Sequence, residues 1–364
     1  MPGTNGVEIR METVPGKPGA CHDGSEEIMK RERIELDHGS GGEAARDLVV
    51  ELILSRLDNP YLRPMDDSAV LDLDGGRFAM TTDSYVVDPV FFPGGNIGSL
   101  AIHGTVNDLS MQGAVPLFLT LGLILEEGLP LDDLARILDA AAAAAREAGV
   151  AVVTGDTKVV PRGHADRIFI NTAGLGRIPE GVDVGAGNAR PGDVILINGT
   201  IGDHGIAILS KREGLDFQMP ILSDSAALNE LVAALLRGGT PVHVLRDPTR
   251  GGVATALNEI ARTSDVGIRL DEKRLPVNPS VHSACEMLGL DPLYVANEGK
   301  CLVILPAEEG EHALEVMRRD PKGREARIIG RVVDDHPGRV VLQTGVGGRR
   351  ILSTLTGEQL PRIC

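Results

Sequence analysis

The sequence predicts an α/β (α+β) protein of two domains, and three observations carry that prediction. Its 364 residues are enough for about two domains of 100–200 residues each. Short apolar runs of strand length alternate with longer amphipathic runs of helix length from about Ile34 onward. A Gly/Pro-rich stretch, Gly181 to Gly192, splits the alternation into two halves, and no repeat of solenoid length runs through it. The expected division is a disordered extension over 1–33, an N-terminal domain over 34–180, a C-terminal domain over 190–354, and a mobile tail over 355–364.

In the first half the amphipathic run Glu43–Leu57 predicts a helix, and apolar runs at Ser68–Leu73 and Arg77–Thr82 predict strands. A helix follows over Ile97–Met111, then a strand over Leu117–Leu125. Leu131–Ala148 holds a long alanine run, the strongest helix former, closed by Gly149 as a C-terminal stop. Strands at Val150–Thr154 and Arg167–Gly174 complete this half. The second half opens with a strand at Val194–Asn198 and helices near Ala226–Leu236 and Val253–Arg262. Strands follow at Gly267–Leu270, Cys301–Leu305, Arg327–Val332 and Val340–Gln343, and after Leu355 the pattern stops.

Composition narrows the function. A hydrophobic content of 42% supports a packed globular protein. Lys+Arg at 36 against Asp+Glu at 52 leaves a net charge of −16, which argues against nucleic acid because phosphate neutralisation needs a basic surface. No Trp and 2% aromatics leave few platforms on which bases could stack. Four cysteines, none in a CxxC pair, exclude a disulfide scaffold and a zinc ribbon. No segment is a continuous apolar run long enough to span a membrane, and the first 30 residues lack the apolar core of a signal peptide, so a cytoplasmic protein is expected.

The chemistry concentrates in acidic residues at strand and helix ends, many flanked by Gly or small polar residues. They are Asp66-Asp67-Ser68, Thr82-Asp83-Ser84, Asn107-Asp108, Gly155-Asp156-Thr157-Lys158, Gly202-Asp203-His204-Gly205 and Arg246-Asp247-Pro248-Thr249-Arg250-Gly251-Gly252. One such Asp is a turn former or helix cap. Several together suit Mg²⁺, which takes hard oxygen ligands and bridges to phosphates. Asp108 falls inside the predicted helix near its apolar face, where a carboxylate is costly without a partner. There is no GxxxxGK[ST] loop, but His38-Gly39-Ser40-Gly41-Gly42 opens a helix and offers free N–H groups to a phosphate; a plain glycine-rich helix start reads equally well.

Lys158, two residues past Asp156, suits charge on a transferred phosphoryl group, or else a surface ion pair. Glu298, directly before the apolar strand at Cys301, reads as a general base or as a solvated glutamate. His282 and Cys285 have ligand spacing but no second pair, so a surface His and a core Cys are expected; Cys301 reads as core and Cys21 suggests nothing. The chain closes on Pro361-Arg362-Ile363-Cys364, with an exposed, mobile thiol expected at its end. From Leu355 the tail spans on the order of 30 Å at ~3.3–3.6 Å per residue, enough to swing between an outside site and a pocket. Arg362 is expected to offset the negative charge that would disfavour a thiolate. A prenylation reading fails because the Cys is last rather than fourth from last.

These stretches, with Phe91 to Gly98, Asn297-Glu298-Gly299-Lys300 and the Pro-Arg-Ile-Cys terminus, resemble the HypE family of hydrogenase maturation factors. That family belongs with aminoimidazole ribonucleotide synthetase, selenophosphate synthetase and thiamine monophosphate kinase. The resemblance covers about Ile34 to Cys364. It implies two α/β domains, the N-terminal one with a mixed sheet that pairs across a homodimer, nucleotide near that interface, and ATP and Mg²⁺ as cofactors. It implies carbamoylation of the terminal Cys by the partner carbamoyltransferase HypF. ATP-dependent dehydration to a thiocyanate would follow, and then transfer of cyanide to iron on a HypC–HypD scaffold for [NiFe] hydrogenase. Cys364 would be the covalent carrier, Glu298 the base and Lys158 the phosphoryl stabiliser. Asp67, Asp83, Asp108 and Asp156 would hold metal. The nucleotide would be met by His38, Gly39, Ser40, Gly41, Asp83, Asn107, Asp108, Asp203, His204 and Asp247. Two alternatives stay open: another enzyme of the superfamily acting on a free small molecule, or a non-catalytic carrier. Ser40 where selenophosphate synthetase would carry Cys, and the terminal Cys itself, weigh against the first. The acidic series weighs against the second.

Overall fold

A computed structural model describes residues 34–35, 38, 42–215, 220–355, 360 and 362–364. The predicted first helix forms as one helical stretch, α1, built of Glu43–Asp47, a wider π segment Leu48–Leu54, and Ser55–Leu57. Five strands then make a sheet: β1 (Ala69–Leu73), β2 (Gly76–Tyr85), β5 (Val115–Glu126), β6 (Ala151–Val160) and β7 (Ile168–Ile178), in the order β1-β2-β7-β5-β6. A short hairpin, β3 (Phe91–Phe92) and β4 (Gly95–Asn96), leads into helix α2 (Ile97–Met111). Asn96 starts that helix: its Oδ1 accepts from the Gly98 and Ser99 N–H groups while Ser99 Oγ accepts from the Asn96 N–H. The second long helix, α3 (Leu131–Ala148), ends at Gly149 as expected, with φ 70°.

Both helices pack on one face of this sheet. Ile102, Val106 and Leu109 of α2 meet Ala141, Ala144 and Ala148 of α3 and Ala79 and Leu119 of the strands. Mixed pairing follows from the connections: β5 and β6 run parallel across α3, the other pairs antiparallel. The opposite face carries no described helix, and Met80, Phe118 and Ile124 stand exposed along it, while Val152, Val153 and Val159 are exposed on the edge strand β6.

The second sheet has seven strands in the order β14-β13-β10-β12-β8-β11-β9. They are β8 (Asp193–Ile197), β9 (Val244–Arg246), β10 (Gly267–Asp271), β11 (Leu302–Pro306), β12 (Arg327–Val333), β13 (Val340–Gln343) and β14 (Arg349–Leu352). Its helices are α4 (Asp203–Glu213), α5 (Asn229–Arg237), α6 (Gly252–Thr263), α7 (Pro279–Leu288) and α8 (Gly310–Arg319). Strand β8 is buried at every position because both faces are covered: α6 packs with Ile195 and Ile197, while α5 and α8 pack with Leu196 and Val194.

Three differences from the sequence reading bear on the site. Strand β6 continues past Thr154 to Val160, so the Gly155–Lys158 run is strand rather than loop. Gly155 permits this: a Cβ there would collide with the Leu121 carbonyl of β5. Residues 203–213 are helix, where only an acidic turn was expected, and α8, β9 and β14 were not predicted at all. The tail, expected to be mobile, has its described residues Leu360, Arg362, Ile363 and Cys364 docked on the body, with Ile363 buried. No described helix is long and apolar enough to cross a membrane.

Candidate active site

Two segments of the first domain and one of the second bring carboxylates to a point. Asp67 precedes β1, Asp108 lies in the last turn of α2, and Asp247 directly follows β9. Their oxygens lie within 4.8 Å of one another. Thr81 of β2 ties the first two together, its Oγ1 donating to Asp108 Oδ2 at 2.8 Å and lying 3.0 Å from the Asp67 carbonyl. Ser68 Oγ donates to the Asp108 carbonyl. Arg246, the last residue of β9, pairs with Asp67 at 2.9 Å and with Glu259 at 2.7 Å.

Burial is the main force on these acids. It raises Asp67 and Asp108 well above the ordinary carboxylate range, and neighbouring carboxylates push further in the same direction; Arg246 opposes the rise at Asp67 and Thr81 opposes it at Asp108. Asp247 is pushed up to about 6 by burial, against the pull of Arg246. Asp83 is raised by burial too, with Tyr85 as the largest opposing partner. Three largely enclosed carboxylates share Arg246, paired with Asp67, and Arg250 on the cavity wall, and their all-oxygen donors match a hard divalent cation.

Two cavities meet at this triplet. The outer one, about 280 Å³, is lined by His38, Ala45 and Val49 on one side and by Thr255, Ala256 and Glu259 of α6 on the other. The inner one, about 200 Å³, is lined by Thr81, Thr82, Asp83, Gly104, Asp108, Glu298 and Cys364. Asp67, Asp247, Thr249 and Arg250 line both. Gly104 lets α2 approach β2 here, since a Cβ would strike the Tyr85 hydroxyl.

Glu298 is 4% exposed and its Oε1 has no partner among the described residues. Its backbone is clamped from both sides: Asp224 Oδ1 accepts its N–H at 3.0 Å, and Asn107 Nδ2 donates to its carbonyl at 3.3 Å. Burial, then the charges of Asp247 and Asp83, raise it well above the usual range, while Arg250 opposes. The Cys364 thiol is pushed up to about 12, by burial first, with Arg250 again opposing.

The remaining candidates divide. Asp83 lines the inner cavity but stands outside the triplet, its Oδ1 accepting the Ser84 N–H; Asp247 takes the third place. Asp156 and Lys158 do not reach this site within the chain. Register puts Asp156 beside Gly122, Asn171 and Ser84, whereas Asp83 is in the row of Thr172, Leu121 and Gly155, so the two carboxylates point to opposite faces of the sheet. There Asp156 is exposed and paired with Lys158 at 2.7 Å, which lowers its pKa. Asn107 is spent on Glu298, Ala226 and Leu228. Asp203 is held by Thr200 and Asn278, and His204 by Ser223 and the tail, so neither lines a cavity beside the triplet. His38 lines the outer cavity; Gly39, Ser40 and Gly41 lie outside the described residues. Arg362 does not serve the thiol, because its guanidinium pairs with Asp166 at 2.9 Å and lies 3.8 Å from Asp88. His282 is exposed and Cys285 and Cys301 are buried; Cys21 is outside the described residues.

Sequence reasoning gave no role to Arg246, Arg250, Thr81 or Thr255. The signal for the arginines was in the run Arg246 to Gly252, where they flank the chosen aspartate. Thr255 Oγ1 is buried without a partner among the described residues at the outer cavity, one helical turn further on.

Residues 65–178 match the N-terminal domain, and 190–343 the C-terminal domain, of the family described as AIR synthase related protein. The carbamoyl dehydratase HypE of Azotobacter vinelandii is 56% identical over 92% of this chain and 98% of that protein. The HypE of Escherichia coli K12 is 47% identical over 91% of this chain and 99% of its own length. Among solved structures, a HypE–HypF complex superposes with a TM-score of 0.81 at 52% identity, covering 85% of this chain and 99% of the other. A HypE structure in complex with ATP gives 0.78 at 54% identity, covering 90% and 99%.

Proposed function

The chain belongs to the HypE carbamoyl dehydratases of the AIR synthase related family, and we propose that it dehydrates a carbamoyl group carried on its own Cys364 to a thiocyanate. One observation carries the reading: Cys364 and Glu298 line an inner cavity that shares the wall of Asp67, Asp247, Thr249 and Arg250 with an outer cavity of about 280 Å³. In this reading ATP occupies the outer cavity between α1 and α6, and Asp67, Asp108 and Asp247 hold Mg²⁺. The bound Mg·ATP supplies a phosphoryl group that turns the amide oxygen, a poor leaving group, into a good one.

The chain's own residues do the rest. The docked tail holds the carbamoyl carbon at the shared wall, which is the gain from proximity. Arg250, on that wall, offsets charge on the transferring group. The carbamoyl oxygen leaves as phosphate, both N–H protons are lost, and the carbon–nitrogen bond becomes triple. Glu298, whose basicity burial raises, takes one of these protons, and the departing phosphate carries the other away. The thiocyanate sulfur stays on Cys364 until the cyano group passes to iron for a [NiFe] hydrogenase, on a HypC–HypD scaffold. HypF is the proposed donor of the carbamoyl group, and two copies are proposed to pair through the open sheet face. Pairing would bring Lys158 and Asp156 of one copy toward the other's phosphates, the role the single chain leaves them without.

Intact mass tests this. Incubated with HypF, carbamoyl phosphate and ATP, the chain should gain the carbamoyl mass on its C-terminal peptide and then lose one water. Cys364→Ala should gain nothing while still binding Mg·ATP in calorimetry. Modification at another residue, or water loss without ATP, would overturn the reading.

A further inference from the structure

The described end of the tail is gripped by its main chain as well as by the side chains of Arg362 and Ile363. His204, fully buried in the first turn of α4, lies with Nε2 2.7 Å from the Ile363 carbonyl and Nδ1 2.8 Å from Ser223 Oγ. A carbonyl only accepts, so Nε2 carries the proton and Nδ1 accepts from the serine hydroxyl, whose oxygen in turn accepts the Ser225 N–H. Phe92 packs edge-on against the imidazole at 5.6 Å and fixes its plane. Two turns along the same helix, Arg212 donates to the Arg362 carbonyl at 2.7 Å and, through Nε and a terminal nitrogen, to the Asp88 carbonyl. From the other side the Asp88 N–H donates to Arg362 O at 3.2 Å and the Val86 N–H to Cys364 O at 3.0 Å.

We propose that His204 and Arg212 are positioning residues: from one helix they hold two successive tail carbonyls, and so set Cys364 in register over the inner cavity without touching nucleotide or reacting atoms. Two carbonyl oxygens and one oxygen of the terminal carboxylate carry the main-chain recognition, and among the described residues no hydrogen bond goes to the sulfur. The socket therefore accepts the tail whether the sulfur bears a proton, a carbamoyl group or a cyano group. Ile363 adds apolar burial that is equally blind to the sulfur. This deepens the reading of Cys364 as the carrier, but its test needs no turnover.

The measurement is the rate at which iodoacetamide alkylates Cys364 in the full, unmodified chain without nucleotide, followed on the C-terminal peptide by mass spectrometry. His204→Phe keeps the ring and its contact with Phe92 but removes the donor. Arg212→Leu removes the second grip at a half-exposed position where folding is not at stake. Each should speed alkylation on the order of tenfold, the size expected for losing one strong hydrogen bond from the docked state. His204→Gln, whose amide can donate to the carbonyl and accept from Ser223, should stay within about threefold of the parent. The inference falls if Arg212→Leu leaves the rate unchanged, or if the Gln variant reacts as fast as the Phe variant. Failure of dehydration with normal tail protection would instead count against the proposed function alone.

Discussion

Asp108 and Asp156 stand on opposite sides of one five-stranded sheet, and in the sequence they look alike. Each follows an apolar stretch, and each has a small or polar neighbour. Asp108 is enclosed with two other carboxylates, and burial raises it well above the usual range. Asp156 is open to solvent, paired with Lys158 and lowered. The first group is charged at a cost, which a cation would relieve; the second is already neutralised and screened by water. A site assembled inside one chain shows itself by strained electrostatics. An exposed, paired group such as Asp156 shows none within the single chain.

The largest expected effect is on chemistry inside the enclosed region: Glu298→Gln should lower the dehydration rate by roughly 10²–10⁴-fold, the range for losing a general base. Carbamoylation of Cys364 should persist, so single-turnover mass spectrometry would see the intermediate accumulate. A variant that loses water at the parental rate would remove Glu298 from the mechanism.

Asp108→Asn should lower Mg·ATP affinity by on the order of 100-fold in calorimetry, since one of three hard ligands becomes neutral. In metal-free buffer the same variant should melt higher by a few degrees, about 1 kcal/mol corresponding to ~2–4 °C for a domain of this size. The sign follows from linkage. A carboxyl whose folded pKa is raised is penalised once ionised, so its cost is present at neutral pH and vanishes below the ordinary carboxylate pKa of 3.8. The gain in melting temperature should therefore shrink as pH falls toward 4. Asp156→Asn is the contrast, with no such gain, because its folded pKa is lowered.

The smallest effect belongs to the open face. Met80→Asp, at a residue 50% exposed on that face, should leave the melting temperature of the single chain nearly unchanged. It should shift a homodimer toward monomer in light scattering, because a charge there faces the apolar surface of the second copy. An unchanged mass would show that copies do not meet through this face, and Lys158 would lose its proposed role.

Much of the architecture was legible because periodicity reports one-sided burial. The helices Ile97–Met111 and Leu131–Ala148 fall where the pattern and the stop at Gly149 predict them. The missed elements failed for separate reasons. Strand β9 is three residues long, too short for a pattern. Helix α4 begins in a Gly-Asp-His-Gly run that reads as a turn, and its inward face includes His204 and Ser210, which no apolar pattern flags. Within the site, Asp67, Asp108, Asp247 and Glu298 were all named from the sequence, and a buried acid inside a helix was the informative clue at Asp108. Asp156 and Lys158 were expected beside the other acids and lie on the opposite face within the chain, because a one-residue shift in a strand reverses the face and nothing local records that parity.

By itself, then, the chain's sequence determined composition-level exclusions, most element positions, the acidic inventory and the cysteine at its end. These are properties of residue type and spacing, and local physics reads them. The tertiary structure alone decided which three carboxylates converge, since they come from segments 41 and 139 residues apart in number, Asp67 to Asp108 and Asp108 to Asp247. It also decided that the tail lies inside, with His204 gripping it across 159 positions. Convergence of that kind depends on how the sheets and helices pack, and electrostatic cost arises only once burial has removed the water.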